Sequence, residues 1–241
     1  MTYYDTIARQ WHAATGYGGG AFKELVLNEI LIGKLPPPAG RAILELGAGN
    51  GYFLPLMLRR FGGQSPARIV ISDYSERLLG IARQQFNIPG AEYLKLDVRE
   101  RFPCADAAFD VVIATMLFNE VSERGLRSAL GECRRVLANE GLLLITVLHP
   151  EFVNSLLTGG ALRREPEHGM TMPGAGRLRL PVVIRSEAAY RSALAGAGFG
   201  CEAQAVFATE AVRSARPGLR NAGSAPIALV CTCRAATPPP P

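Results

Sequence analysis

Short apolar runs alternate with amphipathic stretches from residue 41 onward. Runs of strand length cover residues 42–46, 68–72, 93–96, 109–114 and 142–148. The clearest helical spacing follows Ser122, where apolar side chains share one face and arginines share the opposite face. Because strands and helices alternate in this way in parallel sheets covered by helices, the pattern predicts an α/β fold.

The regular pattern lapses between residues 149 and 185, where glycine and proline are frequent. A stretch of that length is usually more than a connection, so we expect a cap, with a strand or hairpin arm over residues 177–184. Ser186 then begins a last helix, and apolar runs at 201–209 and 227–233 supply two final strands. The proline-rich residues 237–241 are expected to form a disordered tail.

Length, charge and cysteine spacing indicate a protein of one domain. The chain has 241 residues, a formal charge of +5 and five cysteines without CxxC spacing, which suits one domain without a zinc cluster. Residues 1–12 lack the apolar core of a signal peptide, and the longest apolar run is shorter than the ~20 residues that cross a bilayer. We therefore expect a cytoplasmic protein with reduced thiols, no disulfide framework and no membrane segment.

The most specific feature is a glycine-rich turn after the first predicted strand. It reads Glu45-Leu46-Gly47-Ala48-Gly49-Asn50-Gly51. Glycines let the backbone turn tightly and let a ligand approach the amides at the start of a helix. Alone, the turn also fits a structural strand-to-helix connection or a dinucleotide site. The dinucleotide fingerprint GxGxxG, however, has glycine where this chain has Tyr52.

Two acids follow the next two predicted strands. Asp73 ends the second strand and Asp97 ends the third. The carboxyl ends of parallel strands meet at one edge of a sheet, which is where open α/β sheets bind ligands. A carboxylate at Asp73 is placed to accept both hydroxyls of a ribose, and Asp97 to accept from an adenine amino group. The two acids therefore strengthen the interpretation of the glycine turn as a ligand site.

These motifs resemble the class I S-adenosylmethionine-dependent methyltransferases, of the small-molecule type, over residues 41–233. The likeness rests on the acid and GxGxG of residues 45–51, on Asp73, on Asp97-Val98, and on Phe109-Asp110-Val111-Val112-Ile113-Ala114. It implies a Rossmann-like, doubly wound, mostly parallel seven-stranded sheet with an antiparallel last strand and a small cap. It also implies a single methyltransferase domain. Its expected parts are an amino-terminal helical lid (1–40), a cofactor-binding half (41–148), a cap insertion (149–185), and the last helix and strands (186–236).

The resemblance names S-adenosylmethionine as the cofactor. Gly47 and Gly49 would approach its methionine part, and Glu45 would orient the loop or a water near its amino group. The residues that it assigns to cofactor binding are Glu45, Gly47, Ala48, Gly49, Asp73, Tyr74, Asp97, Val98, Ala114 and Thr115.

A methyl group on a sulfonium is already electrophilic, so a base is needed only when the acceptor holds its proton. His149, directly after the fifth predicted strand, is the predicted catalytic residue, although His149-Pro150 also fits a simple strand-ending turn. Glu120 and Glu151 are weaker candidates. The substrate pocket is expected to include Tyr4, Trp11, Tyr17, Phe118 and Asn119.

The favoured function is methyl transfer to an oxygen or nitrogen of a small-molecule metabolite, as in natural-product biosynthesis. A methyltransferase-like binding or partner module is one alternative. An RNA methyltransferase is another, with phosphates bound by Arg163, Arg164, Arg177, Arg179, Arg185, Arg213, Arg216 and Arg220. Because acids, glycines and prolines interrupt those arginines, we expect a small-molecule acceptor, no nucleic acid, no membrane and no metal, in a monomer or homodimer.

Overall fold

The computed structural model describes residues 1–165, 169–173, 178–215 and 225–235. The strands in these ranges are β1 (Ala42–Leu46), β2 (Arg68–Asp73), β3 (Glu92–Lys95), β4 (Phe109–Thr115), β5 (Leu137–Leu148), β6 (Arg163–Glu165), β7 (Gly169–Pro173), β8 (Arg179–Pro181), β9 (Phe199–Val206) and β10 (Ala228–Ala235). The helices are α1 (Tyr3–Thr15), a π-helical turn (Lys23–Leu27) that continues into α2 (Asn28–Lys34), α3 (Phe53–Arg60), α4 (Glu76–Phe86), α5 (Glu123–Val136), α6 (Pro150–Thr158), α7 (Glu187–Gly196) and α8 (Glu210–Ala215).

Seven strands form one sheet in the order β3-β2-β1-β4-β5-β10-β9. β1 pairs in parallel with β2 and β4, whereas β10 is antiparallel to β5 and β9. Apolar side chains of α5 and α7 cover one face, and those of α2 and α3 cover the other. This arrangement confirms the predicted doubly wound, mostly parallel seven-stranded α/β sheet with an antiparallel last strand.

The start of β5 differs from the prediction. It begins at Leu137, directly after α5, whereas the sequence indicates a turn at residues 139–141 and a strand from residue 142. Glu140 adopts a left-handed conformation with φ +62°, and the pairing with β4 shifts register between Phe109 and Val111. The polar residues therefore form an irregularity within one long strand, since its pairing with β4 continues on both sides.

The cap contains structure that the sequence pattern did not indicate. α6 was not predicted; it begins with Pro150 at the first helical position, which proline tolerates well, and the His149 side chain caps it. β6, β7 and β8 form a separate antiparallel sheet. Of the strand or hairpin arm predicted over residues 177–184, β8 covers Arg179–Pro181 and pairs with β7. α8 likewise lies in a connection that was expected to be a loop.

Cys201 and Cys233 form a disulfide between β9 and β10. They are direct partners in the antiparallel register, although they are 32 residues apart in sequence. This finding corrects the expectation that the thiols are all reduced, which considered only the spacing of cysteines along the chain. Cys104, Cys133 and Cys231 are free thiols.

No helix within the described ranges is long and apolar enough to cross a membrane. The predicted tail at residues 237–241 lies outside the described residues, as do Arg177, Arg216 and Arg220.

The lid helix α1 is docked on the sheet edge by Asp5. Thr2 caps the helix by accepting the Asp5 N–H at 3.0 Å, and the Asp5 Oδ2 accepts the Thr2 N–H in return at 2.7 Å. The other carboxylate oxygen accepts the Ser75 hydroxyl at 2.7 Å, and Ser75 itself caps α4. Because Ser75 comes two residues after β2, α1 is held beside the end of that strand.

Arg185 fastens the end of the cap to the loop after β4. Its buried guanidinium donates to the carbonyl oxygens of Phe118 at 3.0 Å and Val121 at 2.7 Å, and its Nε pairs with Glu123 at 3.0 Å. The Val183 N–H adds a bond to the Asn119 carbonyl oxygen at 2.6 Å. The cap is thus tied to the loop that forms one wall of the cavity described below.

Replacing Arg185 with methionine is expected to lower the free energy of unfolding by about 3 kcal/mol, because two buried carbonyl oxygens lose their donor. Urea denaturation measures this change. Arg191→Met is the matched control, since the Arg191 side chain is 53% exposed in its pair with Glu187 and its loss should change stability by less than about 0.5 kcal/mol. An equal effect of the two substitutions would contradict the anchoring role of Arg185.

Candidate functional site

A cavity of about 530 Å³ opens at the carboxyl edge of the sheet. Its floor is formed by the ends of β1, β2 and β4 and by the segment after β3. Its walls come from α1, from residues 19–23, from the loop after β4, and from the cap through Phe152, Met172, Leu180 and Pro181. The cavity therefore lies where an open parallel sheet binds ligands, between the amino-terminal lid and the cap.

The glycine turn forms one side of the cavity floor. Gly47 and Gly49 both have positive φ, +62° and +60°, a conformation that L side chains rarely adopt. A Cβ at Gly47 would lie 2.8 Å from the Leu117 Cδ1, and one at Gly49 would lie 3.4 Å from the Trp11 indole nitrogen. Gly47 therefore needs glycine for both its backbone conformation and its close approach to Leu117, whereas Gly49 needs it for its backbone conformation.

Asp73 is fixed by the backbone around it. Its Oδ2 accepts the Gly49 N–H at 2.8 Å, and its Oδ1 accepts the Ser75 N–H at 2.8 Å. Burial raises the pKa of Asp73 to about 6, against the lowering effect of these hydrogen bonds. The carboxylate is held in one orientation at the cavity and retains further lone pairs for ligand hydroxyls.

Asp97 lies further along the same edge and has a charged partner. The Arg99 guanidinium donates to its Oδ1 at 2.8 Å and to its Oδ2 at 2.6 Å, and these bonds lower the pKa of Asp97. Arg99 also stacks over the Tyr74 ring, 5.3 Å from its centroid. Sequence reasoning predicted Asp97 and Tyr74 at this position but missed Arg99, which joins them into one flat wall.

Glu120, in the loop after β4, brings a further acid to the cavity. The Tyr4 hydroxyl donates to its Oε1 at 2.5 Å, and its Oε2 has no hydrogen-bond partner among the described residues. Burial raises the pKa of Glu120 to about 8, and the nearby charge of Asp73 adds to the rise, whereas the Tyr4 hydrogen bond opposes it. Glu120 is therefore a carboxyl group that titrates near neutral pH at the cavity wall.

Lys23 and Glu45 form a second charged area. Lys23 lines the cavity at the start of the π-helical turn, and burial lowers its pKa to about 8. Glu45 is 1% exposed at the end of β1, and burial raises its pKa to about 8 although Lys23 opposes the rise. The Glu45 Oε2 is buried without a hydrogen-bond partner in the described part of the chain.

Most of the predicted cofactor residues come together in this cavity. Those that line it are Gly47, Ala48, Gly49, Asp73, Tyr74, Asp97, Val98 and Thr115. Glu45 lies directly behind the glycine turn. Ala114 is fully buried within the sheet, one residue before Thr115, which is the residue that reaches the cavity. The alternation of side chains along β4 explains the difference.

The predicted pocket residues divide into two groups. Tyr4, Trp11 and Asn119 line the cavity. Phe118 does not, because its ring is fully buried in the hydrophobic core. Tyr17 also lies elsewhere: it is 63% exposed, and its ring packs on Phe86 with 5.8 Å between centroids.

His149, the predicted catalytic residue, lies at the amino-terminal end of α6. It is 6% exposed and does not line the cavity; its Nδ1 accepts the Glu151 N–H at 3.2 Å as the cap of α6. Leu148 before it and Phe152 after it are the neighbouring residues that reach the cavity. The strand-ending alternative therefore describes the geometry of His149, whose Nδ1 is occupied by the helix.

No group of three or more histidine, cysteine, aspartate or glutamate side chains within the described ranges is arranged to hold a metal ion. Lys23 is, besides Arg99, a cavity residue that the sequence did not reveal. The run Gly18-Gly19-Gly20 before it is the one local signal, because such a run permits the close approach of backbone and side chains.

Comparison with known proteins agrees with this geometry. Residues 43–141 match the family model of the methyltransferase domain. Malonyl-[acyl-carrier protein] O-methyltransferase of Methylococcus capsulatus is 34% identical over 151 residues, which are 58% of this chain and 52% of that protein. Trans-aconitate 2-methyltransferase of Acidovorax sp. is 31% identical over 116 residues, 48% of this chain and 41% of that protein. The chain thus spans about half the length of the curated relatives it matches.

Solved structures share the fold over nearly the whole chain. An S-adenosylmethionine-dependent methyltransferase from Mesorhizobium loti has a TM-score of 0.63 at 22% identity, covering 89% of this chain and 98% of that one. One from Aquifex aeolicus has a TM-score of 0.61 at 16% identity, covering 97% and 99%. These likenesses confirm the predicted fold, and the domain match over residues 43–141 confirms the predicted resemblance to a methyltransferase.

Proposed function

We propose that this chain, whose residues 43–141 match the methyltransferase domain family, transfers a methyl group from S-adenosylmethionine to an oxygen or nitrogen of a small-molecule metabolite. The observation that carries the proposal is the shared cavity of the glycine turn, Asp73 and Asp97. Relatives named for malonyl-[acyl-carrier protein] and trans-aconitate favour an acceptor from small-molecule metabolism, and a polyketide synthase relative favours a natural-product pathway.

The cavity residues fit S-adenosylmethionine. Gly47 leaves room where a Cβ would crowd Leu117, and within the described part of the chain the buried Glu45 Oε2 is an acceptor without a partner beside that turn. Asp73 would hold the ribose hydroxyls, and Tyr74 with Asp97 and Val98 would hold the adenine. When bound, the cofactor supplies a methyl group on a positively charged sulfur, so the chain itself needs only to position the acceptor and exclude water.

Glu120 is the proposed base for an acceptor that carries a proton. Its Oε1 accepts the Tyr4 hydroxyl, which leaves the lone pairs of its Oε2 available to an acceptor at the cavity wall. A hydroxyl group bound there would pass its proton to the Oε2 as an oxygen lone pair takes the methyl group, and an ammonium group would first lose a proton to the Oε2, which frees the nitrogen lone pair that takes the methyl group; in both cases the electrons of the broken methyl–sulfur bond would stay on the sulfur. This assignment replaces His149, whose ring caps α6.

The hydrogen bonds of two arginines support a small-molecule acceptor over RNA. Arg179 donates to the carbonyl oxygens of Ala161 and Thr171, and Arg185 donates to those of Phe118 and Val121. Guanidinium groups that hold the cap together in this way have fewer donors for phosphates. The apolar residues on the cap side of the cavity, Phe152, Met172 and Leu180, suit a compact acceptor.

Calorimetry with S-adenosylhomocysteine tests whether the chain binds the cofactor, and binding is the expected result. Methyl transfer is tested by measuring the release of S-adenosylhomocysteine from S-adenosylmethionine with a panel of phenols, amines and carboxylic acids of similar size. Absence of S-adenosylhomocysteine binding would overturn the proposed function. Binding without turnover on any member of the panel would favour the binding module, and salt-sensitive binding of RNA would favour the nucleic-acid alternative.

A further inference from the structure

Glu120 lies where the amino-terminal lid, the loop after β4 and the cap meet. On the lid side the Tyr4 hydroxyl donates to its Oε1, and the Tyr3 hydroxyl next to it donates to a backbone carbonyl oxygen of β8 at 2.5 Å. On the cap side the Val183 N–H donates to the carbonyl oxygen of Asn119, directly before Glu120, at 2.6 Å. The carboxyl group is therefore held between two segments that are distant in sequence.

The cap brings apolar side chains to the same part of the cavity. Leu180 and Pro181 line the cavity shortly before the backbone contact of Val183. Met172 is the direct partner of Leu180 between β7 and β8, and it lines the cavity as well. An acceptor beside Glu120 would therefore bury an apolar body against the cap.

The arginines that follow and precede these cap residues do not offset the charge of Glu120. Arg179 donates to backbone carbonyl oxygens of the cap, and Arg185 donates to those of the loop after β4. Neither side chain lines the cavity. Their guanidinium groups hold the chamber together rather than face its occupant.

Two cations line the cavity within the described part of the chain, and each is directed to another acid. The Arg99 Nη2 lies 2.6 Å from the Asp97 Oδ2. Lys23 interacts more strongly with Glu45, at the end of β1, than with Glu120. A carboxylate acceptor beside Glu120 would therefore face a like charge without a cation of its own.

A cation, in contrast, would complete the surroundings of Glu120. Its Oε2 has no hydrogen-bond partner among the described residues, and the pKa of about 8 reflects the cost of an ionised carboxylate removed from water and near Asp73. The Tyr4 ring packs edge-to-face on Trp11 with 5.7 Å between centroids, and both line the cavity. Aromatic rings add to the stabilisation of a nearby cation but not of an anion.

We propose, on the basis of the function proposed above, that the acceptor is an amine with an apolar body, bound as its ammonium ion against the Glu120 carboxylate, and not a carboxylic acid. The ammonium group then loses a proton to the Oε2. The freed nitrogen lone pair forms the bond to the methyl carbon, and the electrons of the broken methyl–sulfur bond stay on the sulfur. The methylated amine leaves as an ammonium ion, and Glu120 returns its proton to the solvent.

The experiment is calorimetric titration of the S-adenosylhomocysteine complex with matched ligands. Phenethylamine, phenethyl alcohol and phenylacetate share one apolar body and carry a positive, a neutral and a negative group. A hexyl and a naphthylmethyl series repeat the comparison with other body shapes. In at least one series the amine is expected to bind about 10-fold more tightly than the alcohol, and the carboxylate most weakly. With S-adenosylmethionine, the same amine should be methylated and the carboxylate should not.

Glu120→Gln separates recognition of the charge from the shape of the chamber. The substitution keeps the size of the side chain and removes its charge, so the affinity for the amine should fall about 10-fold to that for the alcohol. The affinity for the alcohol should change less than about twofold. Glu100→Gln on the exposed surface is the control and should leave the order of the ligands unchanged. The comparison of ligands on the unaltered protein stands even if Glu120→Gln does not fold.

Other outcomes contradict the assignment of an amine acceptor. Tighter binding of a carboxylate than of its matched amine would overturn it, as would the absence of an amine preference in every series. A preference for the amine that survives in Glu120→Gln would assign the recognition of the charge to another group. Failure of the unaltered protein to bind S-adenosylhomocysteine would instead overturn the proposed function itself.

Discussion

Replacing Asp73 with asparagine is expected to weaken S-adenosylhomocysteine binding by about 100-fold, or about 3 kcal/mol. The carboxylate accepts the Gly49 and Ser75 N–H groups on separate oxygens, each at 2.8 Å. Asparagine has one oxygen, so its amide nitrogen would meet one of these donors, and the charge that strengthens bonds to the ribose hydroxyls is lost. Calorimetry measures the affinity, and urea denaturation separates it from any loss of folding.

The pH dependence of ligand binding gives an independent measure of the contact between Asp73 and the ligand. Hydroxyl donors favour the ionised carboxylate, and the pKa of Asp73 is about 6, so protonation competes with the ligand as the pH falls through that value. The Kd of the unaltered protein should therefore rise below about pH 6, whereas the Kd of Asp73→Asn should not show this rise. Asp106→Asn is the control, because Asp106 is 74% exposed in its pair with Arg135. A Kd of Asp73→Asn within threefold of the control would remove Asp73 from the ligand site.

The cofactor side of the cavity was predictable because its signals are local. Each acid or glycine there directly ends a strand that hydrophobic runs reveal, and parallel pairing brings the carboxyl ends of those strands together. Gly47, Asp73 and Asp97 therefore follow from short segments of sequence and one rule of topology. The side chain that faces inward at the end of a run is less well determined: Ala114 and Thr115 were both expected at the cavity, and of the two Thr115 lines it while Ala114 is buried in the sheet.

The acceptor side depends on contacts between distant segments. Tyr4 and Glu120 meet across 116 residues. Outside the acceptor side, Lys23 likewise reaches Tyr52 through a π-helical turn that no periodicity indicates. In the loop after β4 no repeat determines which side chain faces inward, so Phe118 enters the core and Asn119 lines the cavity. His149 illustrates the same difficulty, because a polar residue at a strand end serves equally well as a helix cap.

Replacing Glu120 with glutamine is expected to lower turnover by about 10²-fold to 10⁴-fold with a protic acceptor, because the side chain then cannot take the acceptor's proton. The substitution keeps the size of the side chain and leaves an oxygen for the Tyr4 hydroxyl. Turnover is measured with the phenol or amine that the acceptor panel identifies. Glu100→Gln on the exposed surface is the matched control and should leave turnover unchanged.

The pH profile distinguishes a base from a residue that merely shapes the cavity. Burial raises the pKa of Glu120 to about 8, so the group is protonated below that pH and becomes able to accept a proton above it. The kcat/KM of the unaltered protein should therefore increase with pH up to about 8, and Glu120→Gln should lose this increase. Glu45 and Lys23 also titrate near pH 8, so the difference between the two profiles, rather than either alone, identifies Glu120.

Tyr4→Phe provides the second test of the same base. The Tyr4 hydrogen bond stabilises the ionised form of Glu120 and lowers its pKa, so its removal should move the rising part of the profile to higher pH while most of the turnover at high pH is kept. A structural role alone would reduce turnover at every pH without this shift. If the rising part instead survives in Glu120→Gln and disappears in His149→Ala, the base is His149, and the rotation of its ring away from the cap of α6 becomes part of catalysis.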